Sequence, residues 1–359
     1  MTQAVTLAAS QTAPGRRPDT RIQVLAPADR GRWDAFVEAC PEATFFHRAG
    51  WQEVIERAFG HHTHYLYAEC EGRVTGVLPL GHIRSRLFGN ALISSPFGVY
   101  GGIAAEDELA RQQLESAACV LAQELGVDYL ELRNREARRP DWPTKQLYVT
   151  FRKAIDPDPE KNLLAIPRKQ RAMVRKGIKA GLESAFDPTV ERFYRAYSES
   201  VRSLGTPVFS RRYFEILREV FSEQSTILTV THRGELVSSV LSFYFRDEVL
   251  PYYGGGTALA RQLKGNDFMY WELMRHSCER GVRVFDYGRS KQGSGSWSFK
   301  KNWGFEPSPL HYEYHLVRAT QMPDLSPMNP KYRLFINTWK RLPLPVTRLV
   351  GPLLARNLG

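Results

Sequence analysis

Apolar and polar side chains alternate with a period of two in YLYAECEGRVTGVLPLGHI, around Glu71-Gly72, and again in ILTVTHRGELVSSVLSFYF, around Arg233-Gly234. Each stretch therefore predicts a β-hairpin. A short strand ending in Tyr-Gly-Gly is expected after each hairpin, at Tyr100-Gly101-Gly102 and again at Tyr253-Gly254-Gly255. The period then changes. Glu106 to Leu125 and Asn266 to Arg280 carry apolar residues at helical spacing, and each segment stops at a glycine, Gly126 or Gly281, suited to a left-handed cap. A buried strand follows each helix, and GVDYLELRN aligns without a gap on GVRVFDYGRS, so that Glu131 and Asp286 occupy equivalent places. The chain thus states one plan twice.

Hairpin, strand, helix, strand is the order of the N-acetyltransferase (GNAT) fold. The predicted class is α/β (α+β), with two tandem GNAT-like domains, each a mixed central sheet flanked by helices. At 359 residues, 43% of them hydrophobic, the chain is long enough for two cores. Prolines and acids interrupt the pattern at Asp156-Pro157-Asp158-Pro159, which places the domains at 21–157 and 158–320, after a disordered tail at 1–20 and before a basic, apolar arm at 321–359. No run approaches 18 apolar residues and the first twenty lack the apolar stretch of a secretory signal, so a cytoplasmic protein is expected. Cys40, Cys70, Cys119 and Cys278 lie far apart and read as reduced thiols rather than a zinc ribbon or disulfide framework. His62 and His64 share a strand face with no third ligand in range, so no metal is expected. The net charge of +11 favours phosphate-bearing partners or an anionic membrane.

Candidate chemistry concentrates in two places. From Lys161 to Leu182 the bases Lys161, Arg168, Lys169, Arg171, Arg175, Lys176 and Lys179 occur without one acid. On a helix opening near Pro167, Arg168, Arg171, Arg175 and Lys179 share a face, and arginines so placed can grip phosphate in a bidentate way. A solvated helix face is the alternative reading. In FDYGRSKQGSGSWSFKKNWGF, Asp286 falls at the C-terminal end of a central strand, where α/β folds place their sites, followed by Lys300 and Lys301. Attack of an amine on an ester or thioester needs a group to help remove a proton and a cation near the oxyanion, which makes Asp286, Lys300 and Lys301 the catalytic candidates. A structural partnership of Asp286 with Arg289 or a nearby backbone amide, and plain surface lysines at 300 and 301, are the alternatives. Tyr252, Tyr253, Gly254 and Gly255 are expected to line the site, and Arg289, Phe299 and Trp303 complete the substrate-binding set. No nucleophile elbow, phosphate-binding P-loop or Rossmann fingerprint occurs, so hydrolase, NTPase and dehydrogenase readings lack their usual support. The C-terminal stretch KYRLFINTWKRLPLPVTRLVGPLLARNLG carries Lys331, Arg333, Lys340, Arg341, Arg348 and Arg356 and no acid, a pattern suited either to a membrane interface or to an arm packed across the protein's own body.

RKQRAMVRKGIKAG, PYYGGG, NDFMYWELMRHSCERGVRVFDYGRS and FKKNWGF together resemble the FemAB family, tandem GNAT-fold enzymes that move amino acids from aminoacyl-tRNA onto peptidoglycan precursors. The likeness covers Arg21 to Val317. Through EACPEATFFHRAGWQEVIERAFGH and the RLPLP tail it extends to FemAB-like proteins associated with exosortase and PEP-CTERM systems, whose genes accompany exopolysaccharide synthesis. The resemblance implies that Phe299-Lys300-Lys301 occupies the Phe-Lys motif that contacts the aminoacyl end of the donor, and that Arg168 to Lys179 is the basic helix opening the second domain. Two departures stand out: the long helical hairpin of some members is missing, and Gln262-Leu263-Lys264-Gly265 begins a pyrophosphate loop in which Asp267 replaces a small residue. The leading expectation is transfer of an acyl or aminoacyl group, from acyl-CoA or aminoacyl-tRNA and without a bound cofactor, to an amine on an envelope or exopolysaccharide-related acceptor. The rivals are a non-catalytic protein of degenerate transferase fold that holds RNA or a polyanionic polymer, and a scaffold docked on the inner membrane through 331–359.

Overall fold

A computed structural model of the chain describes residues 20–85, 89–323 and 330–357, with the side chains of 330–334 excepted. The expected tail, apart from Thr20, and the side chains of Lys331 and Arg333 lie outside that description. The first eight-stranded sheet contains β1 (Thr20–Val24), β2 (His62–Cys70), β3 (Arg73–Ser85), β4 (Gly89–Ser94), β5 (Ala104–Ala105), β6 (Tyr129–Asn134), β7 (Thr144–Lys145) and β16 (His311–Leu316), in the order β1-β2-β3-β4-β6-β16-β7 with β5 beside β3. The second contains β8 (Tyr148–Ala154), β9 (Glu183–Phe186), β10 (Ser225–His232), β11 (Glu235–Phe245), β12 (Glu248–Gly256), β13 (Val284–Asp286), β14 (Ser290–Lys291) and β15 (Pro307–Pro309), in the order β14-β8-β13-β12-β11-β10-β9 with β15 beside β8. Around them lie α1 (Arg30–Ala39), α2 (Gly50–Phe59) and α3 (Glu108–Glu124) in the first half. The second half has α4 (Pro159–Ala165), α5 (Arg168–Lys179), α6 (Glu191–Leu204), α7 (Arg211–Val220), α8 (Ala258–Leu263), α9 (Gly265–Glu279) and α10 (Gly295–Asn302), then α11 (Pro330–Trp339) and α12 (Leu344–Ala355) in the arm.

The repeat is visible in the strand order, because β1-β2-β3-β4-β6 superposes in sequence on β9-β10-β11-β12-β13 and each parallel pair, β4 with β6 and β12 with β13, is bridged by a helix. Both hairpin turns have two central residues at positive φ, Glu71-Gly72 and Arg233-Gly234, the geometry whose twist suits a two-residue β-connection. Gly126 and Gly281 end α3 and α9 with φ of +58° and +80°, as their places in the pattern predict.

Two features depart from the expected plan. The first Tyr-Gly-Gly is not strand: β4 stops at Ser94, and Tyr100 to Gly102 lie in a loop that returns across the sheet, with the Gly101 and Gly102 amides both donating to Arg133 O at 3.1 Å. The sixth strand of each sheet is also exchanged. β8, which precedes the 157/158 division, pairs with β13, and β16, which follows the second unit, pairs with β6 through His311↔Asn134 to Leu316↔Tyr129.

The exchange is matched by a shared core. Trp33, Phe45, Phe46 and Trp51 from the first unit pack in one cluster with Phe221, Phe243, Leu250 and Tyr213 from the second, and Phe45 stacks on Phe243 with centroids 4.2 Å apart. Along β10 to β12, neighbouring residues alternate between that seam and a second core: Ile227, Leu241 and Leu250 face the seam, while Leu228, Val240 and Val249 face α9. Consequently α6, through Phe193 and Tyr197, lies on the seam side of the second sheet, and α5, α9 and α10 lie on the outer side.

His47 pins the returning loop at the seam. Its Nδ1 accepts from the Thr44 amide at 3.0 Å, so Nε2 carries the proton and donates to Gly102 O at 2.8 Å. A side chain on Gly102 would collide with Asn134 Oδ1. Burial, opposed by the Gly102 bond and reinforced by Arg135, lowers the imidazole to about 4. The unfolded chain therefore binds a proton between about 6.5 and 4 that the folded chain refuses, and stability is lost as pH falls through that window, by roughly 3 kcal/mol. Denaturant titrations at pH 7 and pH 4 should show this component in the wild type and its loss in His47→Gln.

Candidate functional site

β12 and β13 run parallel for only two residue pairs, Glu248↔Val284 and Val249↔Phe285. Beyond them β13 ends at Asp286, Gly288 takes φ +64°, and the chain turns away to pair as β14 with β8. The edge of β12 from Leu250 to Gly256 that faces this divergence has no strand beside it, and Tyr252, Tyr253 and Gly254 there are partly accessible. Backbone donors and acceptors on such an edge require partners, which a ligand can supply. In the first unit the equivalent gap between β4 and β6 is closed by the chain itself, through the 95–102 loop bonded to Arg133 O. The two halves share a plan, and in the second the 97–100 segment reaches the divergence, with Phe97 O bonded to Tyr252 Oη and Tyr100 Oη to Asp286.

Asp286 anchors the base of this opening. It is fully buried and accepts from the Gly288 amide at 2.7 Å, from Tyr100 Oη at 2.9 and 3.2 Å, and from Thr150 Oγ1 at 3.5 Å. Tyr100 also makes a short bond to Thr150, and Arg152, itself paired with Glu248, approaches Asp286 Oδ2 with Nε at 3.2 Å. Burial raises the Asp286 carboxyl above its ordinary value, against the opposing pull of Arg152, the Gly288 amide and Tyr100.

Lys300 holds the same turn from the other side. Its Nζ donates to Tyr287 O at 2.7 Å, Gly288 O at 3.0 Å and Arg289 O at 3.0 Å, which engages every ammonium proton. Burial, reinforced by Arg289 and opposed by Asp286, lowers this amine to about 7. Between the two clamps the turn presents Arg289, whose guanidinium lies 4.5 Å from the Tyr148 ring centroid, 5.7 Å from that of Tyr312, and donates to Tyr312 Oη at 3.2 Å. Arg289 makes no ion pair with Asp286, so of the two structural partnerships open in the sequence the one with a backbone amide is the one present. Lys301 is exposed beside Trp297, with its ammonium 5.1 Å from the ring centroid.

The remaining candidates fall around this centre. Tyr252 Oη donates to Phe97 O at 2.5 Å, and Tyr253 Oη meets Tyr213 Oη at 2.8 Å. Gly255 faces α6, where a Cβ would stand 2.5 Å from Ala196 O, so close approach of backbone explains it. Phe299 packs against Tyr270 and Tyr287, and Trp303, fully buried, donates from Nε1 to Asp267 Oδ1 at 3.1 Å. Arg168, Arg171, Arg175 and Lys179 line one groove of about 320 Å³ with Ala172 and Lys176, and no acid lines it. This groove and Lys300 occupy the same side of the second sheet: Asp267 binds Gln170 of α5 at 2.8 Å as well as Trp303, and Gly304 abuts Pro167. Among the described residues no group of three or more histidines, cysteines or acids is arranged for a metal, and no helix is long and apolar enough to cross a membrane.

Tyr100, Thr150 and Arg152 were not among the sequence candidates. Only the repeated Tyr-Gly-Gly singled out Tyr100.

Residues 168–301 match the family described as acetyltransferase (GNAT) domain. That stretch carries an acyltransferase domain and runs from α5 through β9 to β13 and most of α10. No curated protein matches the chain. Among solved structures, FemX is similar over 88% of this chain and 100% of its own, with 15% identity and a TM-score of 0.67. L-PGS from Bacillus licheniformis is similar over 95% of this chain and 99% of its own (14% identity, TM-score 0.53), and a tandem GNAT protein from the clavulanic acid biosynthesis pathway over 84% and 100% (14%, 0.52). At these identities the likeness establishes the fold, two tandem GNAT-like units.

Proposed function

We propose that the protein transfers an acyl or aminoacyl group to an amine on a cell-envelope or exopolysaccharide-related acceptor. One observation carries the reading: β12 and β13 part after two residue pairs, and the turn that follows β13 is clamped by Asp286 and Lys300, within the stretch that matches the acetyltransferase domain. The amine nitrogen attacks the acyl carbonyl, the C–O bond of an aminoacyl ester or the C–S bond of a thioester breaks, and the surplus proton passes from nitrogen to the departing oxygen or sulfur. Tyr252, Tyr253 and Gly254 line the acyl group, while Arg289 and the exposed Lys301 stabilise charge on its oxygen. Asp286 and Lys300, enclosed by their partners, act as positioning residues that hold Arg289 in place. Gly255, Phe299 and Trp303 shape the walls. The α5 groove, Arg168 to Lys179, receives a phosphate of the donor or acceptor.

The donor is acyl-CoA or aminoacyl-tRNA. Similarity in fold to FemX and to L-PGS supports an envelope acceptor, and the sequence likeness through Glu38 to His61 supports placement with exosortase and PEP-CTERM systems. A cytoplasmic enzyme touching the inner membrane through 331–359 fits both. The test is to incubate the pure protein with acetyl-CoA or charged tRNA plus an envelope extract and follow donor and product by mass spectrometry. One donor should be consumed with an acylated amine appearing; consumption of neither removes the catalytic reading.

The acid-free α5 groove favours one rival, a protein that holds RNA without turnover. Affinity for single-stranded RNA measured against salt should flatten by about 1.4 in log–log slope when Arg175→Ala and Lys179→Ala are combined, if both cations neutralise phosphates. An unchanged slope excludes α5 as the RNA contact.

A further inference from the structure

The C-terminal arm folds onto the protein and still leaves an apolar face bare. In α12, Thr347, Gly351 and Ala355 are buried, Arg348 donates from Nε and a terminal nitrogen to Ser198 Oγ at 3.0 and 2.8 Å, and Gly351 fits against the Val208 backbone. Arg356 donates to Phe59 O at 2.7 Å and its own carbonyl meets His61 Nε2 at 2.6 Å, so the end of the helix is tied to the first unit. These contacts fix the rotation of the helix. The opposite face carries Val346, Leu349, Val350 and Leu353, spaced as one helical stripe, with Leu349 77% and Leu353 64% exposed.

The border of this stripe is cationic. Lys340 and Arg341 are exposed at the junction of α11 and α12, and no acid occurs anywhere in 330–357. A chain of net charge +11 with an apolar stripe bordered by bases is complementary to a surface that offers hydrocarbon beneath negative headgroups. At twelve residues α12 extends about 18 Å, too short to cross a bilayer, so it would lie in the plane of the interface.

We propose that α12 docks on an anionic phospholipid bilayer, with Val346, Leu349, Val350 and Leu353 inserted and Lys340 and Arg341 at the headgroups. This names the face, depth and lipid charge of the membrane contact in the reading above, and it rests on that reading only for its biological purpose. The basic α5 groove lies on the other side of the second sheet and is not part of the contact.

The test is co-sedimentation of the full chain with vesicles of phosphatidylcholine alone or with added phosphatidylglycerol, which requires no turnover and so separates failure of this proposal from failure of the acyl-transfer reading. The wild type should bind the phosphatidylglycerol vesicles. Leu349→Asp with Leu353→Asp should lose at least about tenfold in binding, with an unchanged melting curve because both positions are exposed. Lys340→Gln and Arg341→Gln should each cost about fivefold on anionic vesicles alone. Absence of vesicle binding by the wild type overturns the proposal, as does loss of binding in the Arg175→Ala, Lys179→Ala variant with the Leu349 and Leu353 variant unaffected. Concentration-dependent self-association abolished by the leucine substitutions, without vesicle binding, assigns the stripe to a second copy and equally overturns it.

Discussion

Replacing Asp286 by alanine should lower the unfolding free energy by about 3–5 kcal/mol and abolish transfer, the largest effect expected of any single substitution in the site. The magnitude follows from what the carboxylate leaves behind. Four groups converge on it: the Gly288 amide, Tyr100 Oη, Thr150 Oγ1 and the Arg152 guanidinium. The Gly288 amide, Tyr100 and Thr150 cannot turn to water, because they are buried with Asp286, whereas Arg152 is partly exposed and keeps Glu248 as a partner. Removing the carboxylate strands donors that remain enclosed, and the cost is that of the stranded groups rather than of the lost bond. Asp286→Asn separates the parts. It keeps an oxygen for Gly288 and Tyr100 but removes the charge opposite Arg152, so its stability should fall between wild type and alanine, and its residual transfer reports how far the turn depends on that charge. The measurements are the denaturant midpoint and single-turnover rate of both variants. A Asp286→Ala protein within 1 kcal/mol of the wild type would show that the cluster is not load-sharing and that the turn stands without it.

Much of the architecture could be read from the chain, and the parts that could not share a physical cause. Hairpins, helix ends and the repeat are written in local signals: a period of two, a period near 3.6, and glycines where a left-handed backbone is required at 72, 126, 234 and 281. Exchange of β8 and β16 is written in no such signal. Those strands have ordinary alternating faces, and what selects the partner sheet is the seam core, built from Trp33, Phe45, Phe46 and Trp51 against Phe221 and Phe243. Tyr100 and Asp286 are 186 residues apart, and only that packing brings them together. The α5 cations were predictable as one face because helical spacing is local, and they do line one groove. The pairing of Asp286 was not predictable: Arg289 is three positions away in sequence, yet it stacks on Tyr148 and Tyr312 while the nearer Gly288 amide takes the carboxylate. Asp267 shows the same limit. In sequence it is an acid within a would-be pyrophosphate loop; in the fold it is buried, raised by that burial, and engaged by Gln170 and Trp303 as the brace between α5 and the segment after α10.

Lys300→Met tests whether the turn, rather than a lysine charge presented to substrate, is what the site requires. The ammonium supplies one proton to each of three successive carbonyls, so methionine, which matches the stem in length, removes all three bonds and frees residues 287–289. Arg289 would then lose its fixed stacking, and the transfer rate should fall about a hundredfold, the scale of losing one preorganised electrostatic contact. Two further readouts distinguish positioning from direct contact. The first is the pH dependence of stability. The folded amine titrates near 7 and the unfolded one near 10.5, so between those values the unfolded chain holds a proton that the folded chain has released. Stability contributed by Lys300 therefore rises from pH 7 to 10.5 and is lost as pH falls back through that window, and the difference between wild-type and Lys300→Met stability curves should show that slope. The second is Arg289→Lys, which keeps a charge but neither the planar stack nor the fork, and should reproduce most of the Lys300→Met loss in rate with little loss in stability. Full activity in Lys300→Met would separate the turn from the chemistry and return attention to the exposed Lys301.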